Sequence, residues 1–417
     1  MTSLQCPPRG ECRVRKVLSG VTVLDFCWIG AGSLVTQMLA LHGANVIKIE
    51  SHRRPDNLRL SPPYRPGESG LDSSGYYASR NANKKSFALN MSDERSRPIV
   101  RELLAHSSII TSNFRPGIME RWNLDYNSLR EDRPDLIYLS MPMQGEVGPF
   151  REYVGFGSTI SALAGLVAPS GLPGRRPVGT GTNYPDHIPN PGHALVALLA
   201  AVYRRRLTGR GGRIELSQLE STVNMMGPSL LAYSLTGEEP VTMGNRSVER
   251  CPQGVFRCQG DNEWLALSVG DDDQWWATSG VLNLQEAWQV ERFATFELRK
   301  SHEDELEALI QEATSQRDTR ELMDSLQRAG VPASVVNSAG DVFSDPVIID
   351  RHFWYALPHA VLGDFRLASP PFVWSGEGGS PAASAPLLGE HTKEVWTNLL
   401  QRSIEDFEEL QAEGVLW

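Results

Sequence analysis

The residues best placed to do chemistry stand in the stretch NYPDHIPNPGH, Asn183 to His193, where the carboxylate of Asp186 and the imidazole of His187 lie among three prolines and His193 follows them. A carboxylate on stiff backbone suits attack on a carbonyl carbon or a general-base step. Composition alone favours a turn or cap role for Asp186, because aspartate bonds its own backbone well in such loops. His187 and His193 have no carboxylate, serine or cysteine at an activating spacing and read as structural; no GxSxG or HExxH pattern accompanies them.

Three basic segments suit phosphate: HRRP at 52–55, SRNANKK at 79–85 and NFRPGIMER at 113–121. Arginine offers a fork of donors and lysine a point charge. Each segment falls beside an expected strand, where open α/β sheets bind ligands. The stretch GAGSLV at 30–35 holds the place of a dinucleotide GxGxxG, with Val35 where the third glycine belongs. It reads as a tight strand-to-helix turn whose amides are available to an anion.

The elements that must carry these groups are legible in the apolar pattern. From Gly20, GVTVLDFCWIGAGSLVTQMLALHGANVIKIE alternates strand, turn, helix and strand. A further strand is expected at SFALNM, and RPIVRELLAHSSIITSNF and DYNSLREDRPDLIYLSM each read as helix then strand. Together they predict an α/β fold with an open, doubly wound, Rossmann-like parallel sheet. After a Gly- and Pro-rich passage, a helix is expected over 193–206 with Leu195, Leu198, Leu199 and Val202 on one stripe. The chain divides into a large Rossmann-like domain over 1–230, a smaller α+β domain over 231–345 and a C-terminal segment, 346–417, returning to the first.

Bulk properties narrow the function classes. With 417 residues, 41% hydrophobic and 22% charged, the chain is that of a globular protein of more than one domain. A net charge of −10 argues against a nucleic-acid or membrane-surface role. No apolar run is long enough to span a bilayer and no h-region opens the chain, so a cytoplasmic protein is expected. The five cysteines, Cys6, Cys12, Cys27, Cys251 and Cys258, form no CxxC pair and no zinc spacing, which predicts neither a disulfide framework nor a metal site.

Several segments taken together resemble the family III CoA-transferases (CaiB/BaiF), the formyl-CoA and carnitine CoA-transferase type. They are GVTVLDF, AGSLVTQMLALHGANVIKIE, RNANKKSFALNM, NFRPGIMERWNLDYNSLREDRPDLIYLSM, LLAAVYRRRLTGRGGRIELSQLES, GNRSVERCPQGVFRC and APLLGEHTKEVW, in the family's order over nearly the whole chain. The resemblance implies an enzyme that moves CoA from an acyl-CoA donor to a carboxylic acid acceptor through aspartyl anhydride and aspartyl-CoA thioester intermediates. It implies no tightly bound cofactor, CoA thioesters as substrates, and a homodimer of two interlocked chains.

Carried over position by position, the resemblance makes Asp186 the nucleophile, one residue further upstream of its helix than the family pattern has it. It assigns CoA contacts to Gly30 and Ala31, to Leu89 and Asn90, and to Asn113, Phe114, Arg115 and Arg121. The family's arginine after the KIE strand falls on Ser51, leaving Arg54 or Arg53 to replace it, and a basic residue of the SMPMQG turn falls on Pro142. A mobile glycine loop of the small domain falls on MGNRSVERCPQG, which keeps Gly244 and Asn245 without the glycine run.

Three rivals remain. An acyl-CoA racemase of the same superfamily needs a histidine where VGFGSTIS has Phe156. A catalytically silent CoA-binding scaffold would keep the fold without the reaction. A nicotinamide dehydrogenase needs an acidic residue after the second strand, a place that Glu50 could fill.

Overall fold

The structure, a computed structural model, describes residues 16–372, 374 and 379–417. Cys6 and Cys12 lie outside the described residues, while Cys27, Cys251 and Cys258 are buried free thiols. The chain forms two compact units.

The first unit gathers the described residues of 16–167, 180–236 and 350–417. Six strands build its sheet: β1 (Thr22–Phe26), β2 (Asn45–Glu50), β3 (Lys85–Ala88), β4 (Ile109–Ser112), β5 (Ile137–Ser140) and β6 (Gly212–Glu215). All neighbours are parallel, in the order β3-β2-β1-β4-β5-β6. Side chains alternate between the two faces of a strand, and here both faces are apolar and buried. On one face Leu24, Phe26, Ile47 and Phe87 pack with Ile99 and Leu103 of helix α3 (Ser96–Ala105) and with Trp396, Phe407 and Leu416 from the end of the chain. On the other, Val23, Val46, Ile109 and Leu139 pack with Val35 and Leu39 of a long helix that follows β1 and with Ala194 and Leu198.

The helices of this unit that bear on the site are α1 (Gly30–Leu41), α2 (Gly75–Asn81), α3, α4 (Gly157–Leu163), α5 (Tyr184–His187) and α6 (Pro189–Thr208). Helix α6 begins four residues before the stretch expected from the sequence. Proline is tolerated in a first turn, where its missing N–H would have had no partner, so Pro189 opens the helix rather than preceding it. Of the expected stripe, Leu198 is fully buried and Leu195 and Val202 pack beside it, but Leu199 is 46% exposed because it lies about 100° round the helix. Gly209 ends α6 at φ 70°, in the left-handed region that TGRGG allows.

The second unit takes residues 168–179 and 237–349. Its antiparallel strands β7 (Gln253–Arg257), β8 (Trp264–Ser268) and β9 (Ala333–Val335) pack on helices whose Trp275, Leu306, Ile310, Leu322 and Leu326 form a separate core. The hairpin β10 (Trp354–His359) and β11 (Gly363–Ala368) belongs to the first unit, as does the chain end, where the Asn90 amide bonds Val415 O at 2.9 Å. Among the described residues, no helix is long and apolar enough to cross a membrane.

Candidate active site

Parallel strands deliver their following loops to one edge of the sheet. In this strand order β1 and β4 are neighbours, with β2 and β3 extending the sheet on one side of the pair and β5 and β6 on the other, the position at which open α/β sheets bind ligands. The turn after β1 is held from both sides. Asn113, just beyond β4, accepts the Trp28 amide at 2.9 Å and donates to Trp28 O at 2.6 Å. Ile29 sits at φ 62°, rare for a β-branched residue, and its amide donates to Asp56 Oδ1 at 3.0 Å. Asp56 in turn pairs with Lys48 at 3.0 Å, with both side chains fully buried. The outcome is a fixed entry into α1, whose N-terminus no side chain caps.

Asp186 lies in α5, with Pro185 in the first turn and its own amide bonded to Asn183 O at 3.0 Å. The expected loop is therefore a single helical turn abutting α6, broken at Ile188 (φ −124°, ψ −75°). The Asp186 carboxyl rests against two glycines. A methyl group on Gly30 would stand 2.9 Å from Asp186 Cβ, and one on Gly157 only 2.6 Å from Oδ2. Only the missing side chains at the first residues of α1 and α4 leave room for the carboxyl. Asp186 is 5% exposed, and no hydrogen bond or ion pair reaches its carboxyl among the described residues. Burial alone pushes its pKa up to about 6.

Beside it stand three groups that the sequence reading did not place in the site. Tyr76 and Arg80 of α2 face His187 of α5: the Tyr76 and His187 rings are 6.4 Å apart, and Arg80 Nη2 is 3.3 Å from His187 Nδ1. Burial and then the Arg80 charge push the His187 pKa down to about 4, so the imidazole is neutral at pH 7. Because the guanidinium can only donate, Nδ1 accepts and the ring proton sits on Nε2. Burial raises the Tyr76 phenol, the charge of Arg80 opposes that and the charge of Asp186 adds to it, so the phenol feels both groups.

The other expected site residues fall as follows. Gly30 and Ala31 are buried at the start of α1. Phe114 is half-buried, edge-on to Trp28 at 5.1 Å and to Trp122 at 5.9 Å. Arg54, Arg115 and Arg121 are exposed and pair with no carboxylate among the described residues. Leu89 is fully buried, its amide donating to Glu50 O at 2.8 Å, and Asn90 Oδ1 accepts the Ser92 amide at 3.2 Å. Gly244 and Asn245 belong to the second unit, with Gly244 at φ 65° and Asn245 O accepting from Gln253 at 3.1 Å. Phe156, 57% exposed, immediately precedes the Gly157 that touches Asp186. Glu50 is not free to hold a ribose: its oxygens accept from Arg59, Tyr77 and Ser86, and this removes the support for a nicotinamide site.

Comparison with known proteins finds relatives over nearly the whole chain. A model of CoA-transferase family III matches residues 18–392. Over 99% of this chain and the whole of the relative, it is 29% identical to a succinyl-CoA–D-citramalate CoA-transferase of Chloroflexus aurantiacus. It is 28% identical to a succinyl-CoA:glutarate CoA-transferase of Mus musculus, covering 98% of this chain and 92% of that one. A crystal structure of a CaiB/BaiF family protein from Brucella suis superposes with a TM-score of 0.85 at 29% identity, covering 93% of this chain and all of that one.

Proposed function

The chain belongs to CoA-transferase family III, and from that premise we propose that it transfers CoA from an acyl-CoA to a small carboxylic acid, with Asp186 as the nucleophile. The observation that carries the reading is the Asp186 carboxyl itself, buried without a partner between the first residues of two helices. A desolvated carboxylate is a stronger nucleophile than a hydrated one, and its pKa near 6 still leaves it ionised at pH 7.

The Asp186 oxygen attacks the thioester carbonyl, and the C–S bond breaks to release CoA thiolate and leave a mixed anhydride. The thiolate attacks the aspartyl carbonyl of that anhydride and expels the first carboxylate, giving an aspartyl-CoA thioester. The acceptor carboxylate then attacks this thioester, the thiolate leaves, and its return to the new acyl carbonyl frees Asp186. No water enters the balance, so the thioester's free energy passes from donor to product. Charge develops on the carbonyl oxygen at each attack, and in this reading the first-turn amides of α1 at Gly30 and Ala31, whose N-terminus no side chain caps, stabilise it.

In this reading Phe114 offers a wall to adenine, Arg54, Arg115 and Arg121 neutralise phosphate, and Asn90 and Asn113 shape the path between them, while Leu89, fully buried in the core, supports that path from behind. We read the sheet as doubly wound and the protein as a homodimer. The second part is supported by the helix Gly227–Thr236, which buries none of its residues although Leu230, Leu231, Tyr233 and Leu235 are apolar. Sedimentation of the purified protein tests it: a monomer at micromolar concentration overturns that part.

The mechanism is tested by incubating the protein with a panel of acyl-CoA donors, trapping with hydroxylamine or borohydride, and mapping the modified peptide by mass spectrometry. Modification at Asp186 is expected. Modification elsewhere, or none with any donor, sinks the proposal and leaves the silent-scaffold reading.

A further inference from the structure

The segment SRNANKK carries three cations, and the structure separates them. Lys84 Nζ lies 3.2 Å from Asp25 and bonds Thr36 and Asn81 at 2.7 and 2.9 Å. Lys85 pairs with Glu394 at 2.7 Å. Arg80, in the last turn of α2, meets no carboxylate among the described residues. Its Nε is buried without an acceptor, Nη1 reaches only Ser79 O at 3.5 Å, and Nη2 has only the neutral His187 nitrogen. A guanidinium has five donors, and half-burying it without an anion carries a cost, so a site that retains such a cation suits an anion that arrives.

The position of Arg80 decides which anion. His187 follows the nucleophile directly, and Tyr76, one turn before Arg80 on α2, has its ring centroid 5.7 Å from the guanidinium carbon and its phenol in reach of the Asp186 charge. Burial is the chief effect on Arg80 and lowers its pKa, and the Asp186 carboxyl is not among the charges that offset this. The two groups are therefore not paired, although the Tyr76 phenol feels both charges. The phosphates of CoA lie at the far end of the pantetheine arm from the sulfur, whereas a cation beside the nucleophile meets the acyl chain.

We propose that Arg80, oriented by His187 and Tyr76, binds the remote carboxylate of a dicarboxylic acyl group, so that the protein exchanges CoA among short-chain diacids in preference to monoacids. This rests on the reading of Asp186 as the nucleophile. A guanidinium takes a carboxylate through two parallel hydrogen bonds, and a methyl group in the same place would leave those donors dry and unmet.

Succinyl-CoA and butyryl-CoA separate the cases, since they match in length and differ in a terminal carboxylate against a methyl. The readout is kcat/KM for formation of the Asp186–CoA adduct. Wild-type protein is expected to favour succinyl-CoA by about 10²-fold or more. Arg80→Gln should lose about 10²-fold with succinyl-CoA and less than about threefold with butyryl-CoA, and Arg80→Lys should recover part of the loss. Equal losses with both donors, an unchanged preference, or weakened binding of free CoA in Arg80→Gln overturns the proposal. A wild-type protein without the preference overturns it whether or not the variants fold. An adduct formed equally from both donors leaves the nucleophile intact and removes only Arg80's role; no adduct from either, or from the wider donor panel, removes both.

Discussion

Two sets of buried or half-buried charge lie in the first unit, and they differ in their pairing. Near the ends of β1 to β3, Arg59 binds both oxygens of Glu50 at 2.9 and 2.8 Å, pairs also with Asp72, and donates to Tyr77 OH and Pro386 O. Lys48 pairs with Asp56 and Lys84 with Asp25. Every charge there has an opposite charge. Beside them, Asp186 is buried and Arg80 half-buried, with no opposite charge in contact among the described residues. Paired burial holds a structure together, while unpaired burial raises the energy of the resting protein and is kept where a substrate supplies the missing partner.

The sharpest break of this contrast is in activity. Asp186→Ala should lower transfer by at least about 10⁴-fold, as expected for loss of a covalent nucleophile, while CoA binding measured by calorimetry stays within a few-fold. A residual rate within tenfold of wild type would place Asp186 with the structural charges. In the paired set the consequence moves to stability. Arg59→Met leaves Glu50 buried without its cation and should cost about 3–5 kcal/mol in urea unfolding. If the fold tolerates Arg59→Met without loss, pairing is not what separates the two sets.

The third test reverses the sign. Burial raises the folded pKa of Asp186 from its ordinary 3.8 to about 6, so the folded chain holds that proton more tightly than the unfolded one. Wild-type stability therefore falls as pH rises from about 4 to 6, and Asp186→Asn removes the penalty. The Asn variant should be more stable than wild type by on the order of 2–3 kcal/mol at pH 7.5, with the gain vanishing near pH 4. Glu50 behaves in the opposite way. Burial raises its pKa, but the charge and hydrogen bonds of Arg59 outweigh this and hold it down to about 2, so its contribution is present above its ordinary 4.5 and is lost as the pH falls toward 2. A destabilised Asn variant at pH 7.5 would show that the Asp186 carboxylate is stabilised by something the fold provides.

The same contrast explains what could be read in the sequence. The parallel sheet was legible because it is local: β-branched runs, a Gly-Ala-Gly turn and intervening amphipathic segments state their own period. Asp186 was legible only as a stiffly held carboxylate, and its role came from resemblance. The pairing of charges was not legible, because it joins distant positions. Lys84 meets Asp25 across 59 residues and Lys85 meets Glu394 across 309, so nothing in SRNANKK marks Arg80 as the cation left over. Glu50 read as a free acid for the same reason. The contact of Asp186 with Gly30 and Gly157 likewise depends on three separate segments meeting.

The smallest effect is the most direct measure of the environment of Asp186. Attack requires the ionised carboxylate, so the rate of adduct formation should be flat above pH 7 and fall through a limb near pH 6, about tenfold lower at pH 5. His187 cannot produce that limb, since its pKa is pushed down to about 4, and burial raises the Tyr76 phenol out of range. A phosphate monoester also titrates near 6, so the 3′-phosphate of CoA is a competing source. A dephospho-CoA thioester lacks it and should show the same limb. If the limb moves to about 4 with that donor, the Asp186 carboxyl is solvated or paired in the working enzyme, and the difference between the two sets of charges disappears at the residue where it matters most.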